Sequence, residues 1–142
     1  MRLSGSTGLA RATGLGFAAG LRTVTPLAAL HLRGRAVPGR LGRLIVASAA
    51  AEMVADKLPR TPSRLAPFAL AGRMTSGGVA GYAVAGRPGV ATGAAAALAG
   101  AFLGHRARRS LHEIARWPDV RGAVVEDAFA VAVATVAAAR KD

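Results

Sequence analysis

Ala51–Arg60 reads AEMVADKLPR and closes a run that is otherwise apolar, LIVASAAA over Leu44–Ala51. What surrounds Glu52, Asp56 and Lys57 decides the fold. In water such charges mark a surface; in a membrane they must find each other. Glu52 and Asp56 are four residues apart and share one helix face. Side by side they repel unless a cation stands between them or one is protonated. Arg22, Lys57 and Arg73 are the candidate cations. Pro59 cannot continue a helix and is expected to stop the segment.

Composition favours the membrane. Of 142 residues, 52% are hydrophobic but only 4% are aromatic. A core of Ala, Val and Gly buries little area in water, at about 0.8 kcal/mol per CH₂. In lipid, small residues let helices approach closely and packing replaces the hydrophobic drive. The chain has no cysteine, which excludes disulfides, thiolate metal sites and thiol nucleophiles. A net charge of +12 raises nucleic acid as a partner. It equally suits short membrane loops whose arginines meet anionic headgroups. The only lysines are Lys57 and Lys141, so Lys57 beside Asp56 departs from the chain's habit of using arginine.

Five apolar segments can be drawn. The first, Thr7–Leu32, follows a basic start and is read as an uncleaved spanning helix, because its apolar pattern runs past the point where a signal peptide would end. The basic turn RGRAVPGR separates it from the second, Leu41–Leu58, and PRTPSR follows. The third, Ser63–Gly86, holds Arg73 among Gly72, Gly77 and Gly78, and is expected to be broken or re-entrant. The fourth, Val90–Gly104, continues as a basic amphipathic helix to Trp117, where Pro118 ends it. The fifth is Val120–Ala139.

Glycine spacing gives the packing. Gly16 and Gly20, Gly77 and Gly81, Gly89 and Gly93, and Gly100 and Gly104 are all GxxxG pairs. A small residue at every fourth position forms a groove into which a neighbouring helix fits. In a soluble helix each interior glycine costs about 1 kcal/mol relative to alanine.

Arg22 lies inside the first segment, where facing lipid would cost about 2.5–3.5 kcal/mol on insertion scales. Pro26 removes the bond to its carbonyl and leaves an acceptor near a fixed cation. Arg22 and Glu52 are expected to form an internal polar cluster. Glu126 and Asp127 either join it or mark a helix start that favours negative charge. Asp56 and Lys57 lie either inside or at the water interface. Arg106, Arg108, Arg109 and Arg116 read as a headgroup-facing stripe. His31, His105 and His112 share no helix face, so no metal site is expected. Ser48 and Ser110 have no His and Asp partners in a recognised arrangement, so no enzyme activity and no cofactor are expected.

The stretches AAGLRTVTPLAA, AEMVADKLPRTPSR and VVEDAFA resemble the small bacterial membrane proteins grouped as domain of unknown function 4126. The matching positions are Gly20, Arg22, Pro26, Glu52, Asp56, Lys57, Pro59, Arg73, Glu126 and Asp127, across most of the chain. The Asp-Lys-x-Pro element is the most specific part. The chain departs from the family in being short and poor in aromatics, with compact loops. The resemblance implies an integral membrane location and no established activity.

The expectation is therefore an all-α bundle, a single membrane domain over 1–142, with four or five short segments packed through glycine faces. It would lie in the cell inner (plasma) membrane as a multi-pass protein, with the lipid bilayer and further copies of itself as partners. Three functions follow. The first is a transporter or channel-like protein, in which Arg22 fixes a carboxylate or anionic substrate, Glu52 and Asp56 carry a proton or cation, and Lys57 and Arg73 are counter-charges. The second is a structural component whose salt bridges only fix helix register. The third, ranked last because the basic residues fall between apolar segments without interleaved aromatics, is a soluble nucleic-acid-binding protein.

Overall fold

The structure, a computed structural model, describes residues 5–34, 39–58, 63 and 65–139, and most of the apolar residues among them lie in helices. Six helices follow one another: α1 (Gly5–Leu21), α2 (Thr25–Leu32), α3 (Gly39–Ala55), α4 (Pro67–Ala85), α5 (Arg87–Glu113) and α6 (Asp119–Ala138). No strand occurs among the described residues. Pro59, the loop after it apart from Ser63 and Leu65, and residues 35–38 of the basic turn lie outside them.

Two expectations about continuity are corrected. The first segment is not one helix; it divides at Arg22–Val24 into α1 and α2. Pro26 dictates the division, because its missing N–H is tolerated only in a first helical turn, which is where it sits in α2. The third segment, expected to break, runs unbroken as α4 through Gly72, Arg73, Gly77 and Gly78. Gly77 and Gly78 face α5 rather than a turn, and Arg73 is drawn toward the end of α1. Among the described residues, six helices thus replace the four or five segments. The turn between α4 and α5 is made by Gly86, whose φ of 68° suits a residue without a β-carbon.

α1, α4 and α5 pack most closely, and glycine is the reason. A β-carbon on Gly16 would strike the carbonyl of Gly93, and one on Gly20 would strike the backbone of Ala97, Gly100 and Ala101. Gly77 lies against Gly93, Gly81 and Gly89 face each other, and Gly100 meets the carbonyl of Phe17. Gly104 is buried one turn further along α5. The backbones therefore approach to distances that no other residue permits.

α6 packs along α1 and α2. Its end is capped by Arg11 of α1, which donates from Nε to the Ala137 carbonyl at 2.8 Å and from Nη2 to the Ala138 carbonyl at 3.2 Å. A cation placed at a helix C-terminus satisfies orphan carbonyls and complements the dipole. α3 rests on α2, where the His31 ring occupies the space a β-carbon on Gly42 would need; Gly42 and Ala49 are its buried residues.

The distribution of side-chain size is inverted. Among the described residues the largest fully buried side chain is that of Arg22, and most of the buried apolar residues are alanines. Phe68, Phe102, Leu103, Phe129 and Val136 are each more than half exposed. Among the described residues, no helix is long and apolar enough to cross a membrane.

Candidate functional site

The break between α1 and α2 exposes helix ends inside the bundle, and three side chains from other helices satisfy them. Glu52 of α3 accepts from the backbone N–H groups of Thr23 at 2.7 Å and Val24 at 3.0 Å. Arg73 of α4 donates to the Gly20 carbonyl, and Ser76 donates its hydroxyl to the Thr23 carbonyl. An anion thus stands at the start of α2 and a cation at the end of α1, the arrangement that unpaired N–H and C=O groups call for.

Glu52 is therefore a cap, not the counter-ion expected for Arg22. Replacing it with alanine leaves two N–H groups without an acceptor, and charge-assisted bonds of this kind contribute about 1.5–3 kcal/mol. Glu52→Ala is expected to destabilise the fold by about that amount, and Glu52→Gln, which keeps one acceptor oxygen, by less. Reversible chemical unfolding measures both; equal losses would contradict the cap.

Arg22 takes its counter-ions from the interior of α6 and from the residue just past α3. Its Nε donates to Asp127 Oδ1 of α6, and its Nη1 lies 3.0 Å from Oδ2 of Asp56, just past α3. Lys57 Nζ reaches the second oxygen of Asp127 at 2.6 Å and the Met53 carbonyl at 2.7 Å. Asp127 is thereby bridged by two cations. The third guanidinium nitrogen of Arg22, Nη2, is buried and has no hydrogen-bond acceptor among the described residues.

Arg108 extends the network. It donates from Nη1 to Asp56 Oδ2 at 2.7 Å and grips both oxygens of Asp119 at 2.8 and 2.9 Å; Glu126 lies 3.7 Å away. The expectation of a headgroup-facing stripe fails at this residue, whose side chain is 15% exposed. Arg109, one position on, does face outward and pairs with Glu113 at 2.7 Å. The spacing Gly104, Arg108, Leu111 carries the signal that separates the two arginines, since residues three and four apart share a face and Gly104 is buried. The same reasoning finds Arg11, in register with buried Gly8 and Leu15.

Glu126 and Asp127 do not mark a helix start. Asp119 stands in the first turn of α6, and the pair lies two turns further in. Lys57 pairs with Asp127, and Arg73 with a backbone carbonyl, so neither bridges Glu52 and Asp56 as expected. Arg22, Asp56, Lys57, Arg108, Asp119, Glu126 and Asp127 form one connected set of ion pairs. Glu52 and Arg73 lie beside it on the helix break. Among the described residues no group of three or more His, Asp and Glu side chains is arranged to hold a metal ion.

The class defined by these features is an all-helical bundle with a discontinuous first helix and an internal ion network at its break. Comparison with family models, curated proteins and solved structures gives no match. The motif resemblance therefore rests on its residues alone.

Proposed function

We propose that the chain is a small multi-pass membrane protein of transporter or channel-like type, with the network at the α1–α2 break as its path or site. The observation that carries this reading is Arg22, fully buried at a helix break with Nη2 lacking an acceptor. Discontinuous helices in transporters place their unsatisfied ends and ionisable side chains where substrate or coupling ion binds. Arg22 is suited to a carboxylate or another small anion, since a guanidinium offers several donors in a fixed plane. Asp56, Asp127 and Lys57 surround it with groups that can exchange protons.

The lipid environment is supported by the inverted surface. Contiguous exposed apolar residues on a soluble monomer are confined to small patches. Here large apolar side chains on α4, α5 and α6 point outward, while alanine, glycine and charge lie within. Charges such as Arg73, Arg108, Glu126 and Asp127 lower the average hydropathy of the helices that carry them. Paired inside a bundle, they do not meet lipid. Further copies of the chain are proposed as partners, with the outward Leu41, Leu44 and Val54 of α3 available to them. Nucleic acid is disfavoured because Arg11, Arg22, Arg73 and Arg108 commit their charge to protein groups.

Vesicle reconstitution tests the reading. Uptake of protons or of a small carboxylate is expected to exceed that of empty vesicles and to fall in Arg22→Lys, which keeps the charge but removes the planar donor set. Uptake equal to that of empty vesicles would contradict it.

One observation favours a second reading. Each ionised group at the centre of the network, from Lys57 to Arg108, already has a counter-ion within the chain. A structural component, whose ion pairs fix helix register, would show no uptake yet lose folded yield when the same residues are changed.

A further inference from the structure

We infer that the cleft between α5 and α6 holds the acyl chain of a membrane lipid, a site distinct from the ion network and one that rests on the membrane reading. Both helices pack well on α1 but little on each other. The gap between them is a cavity of about 280 Å³, walled by Phe17, Leu21, Leu103, Leu111, Val125 and Phe129.

The chemistry selects hydrocarbon. The lining is almost wholly apolar, and the polar groups it touches are Arg108 and Glu126. Arg108 has all three guanidinium nitrogens engaged by Asp56 and Asp119, so its charge is already met by two carboxylates, which an anionic headgroup would have to face. The volume is roughly twice that of a dry apolar cavity able to take benzene, about 150 Å³. It falls just short of the range of about 300–1,000 Å³ common for drug-sized ligands. A length of chain fits that description better than a compact polar molecule.

The source is the surrounding bilayer. Leu103, Val125 and Phe129 line the cleft and are also about half exposed at its mouth, beside the outward-facing Phe102 and Val124. The cleft wall is thus continuous with the apolar outer surface. Phe17 and Phe129 meet edge to face with centroids 6.4 Å apart, giving the floor an aromatic corner. The gap is maintained by small residues, Gly104, Ala107 and Gly122, where larger side chains would fill it.

Tryptophan quenching by lipids brominated on the acyl chain tests this in the full chain, with Trp117→Phe as background. Phe17→Trp reports the inside of the cleft and Phe102→Trp the outer surface. Both reporters are expected to lose roughly half their emission in brominated vesicles. Adding Ala107→Leu, or Leu111→Phe as a second filling variant, is expected to protect the reporter at position 17 and leave that at position 102 quenched. Quenching at 102 but not at 17 would overturn the acyl site and leave the membrane reading standing. Quenching at 17 that neither filling variant reduces would also overturn the site. Quenching at neither position would overturn both.

Discussion

Arg22→Met is expected to destabilise the fold by about 3–5 kcal/mol, the cost typical of breaking a buried ion pair by removing one partner. The change strips Asp127 and Asp56 of their shared cation while both remain largely buried. Lys57 and Arg108 are left to hold them from the less buried side. Adding Asp127→Asn removes one of the stranded charges, so the double variant should recover part of the loss, with a coupling of about 1–3 kcal/mol. The coupling of Arg22 with Glu52 should be smaller, because Glu52 bonds the backbone of Thr23 and Val24. Unfolding titrations in mixed micelles on the two double-mutant cycles decide between these partners. A larger coupling with Glu52 would contradict the geometry.

That choice of partner marks the limit of what the sequence could tell. The apolar segments, the GxxxG spacings and the burial cost of Arg22 point to an all-helical chain with an interior charge cluster, and Arg22, Asp56, Lys57 and Asp127 do come together. Pairing within the cluster was not legible. Glu52 and Asp56 share a helix face, yet Glu52 caps α2 and Asp56 binds two arginines. Which carboxylate meets which cation depends on where the chain breaks, and glycine spacing puts that break in α4 whereas it falls just before Pro26. Glycines around Arg73 suggest a broken or re-entrant helix because spacing alone cannot separate a glycine that turns from one that admits a neighbour. Pro26 was the better signal, since a missing N–H acts on its own helix whatever packs beside it. Arg108 was hidden in a run of arginines, and only its register with Gly104 sets it apart.

Gly93→Ala should be the most damaging of the single-methyl changes, at about 3 kcal/mol or more, toward the upper end of overpacking costs. Its new β-carbon would fall inside the carbonyl of Gly77, and Gly16 of α1 already lies against the same residue. Three backbones meet there, and none can yield as a flexible side chain would. Gly72→Ala is the control: the nearest atom to its added carbon is 3.9 Å away, on Thr23. That substitution should be neutral or stabilising by up to about 1 kcal/mol, the helix-propensity gain. Thermal melts of the two variants in the same detergent compare them directly. Similar losses at both positions would remove close glycine packing as the basis of the core.

The proposed function requires lipid around these helices, with their charges turned toward one another. Alkaline washing of cell membranes after expression of the intact chain measures this most directly. The protein is expected to remain in the pellet and to enter solution only with detergent. Recovery as a folded, stable monomer in plain buffer would contradict it.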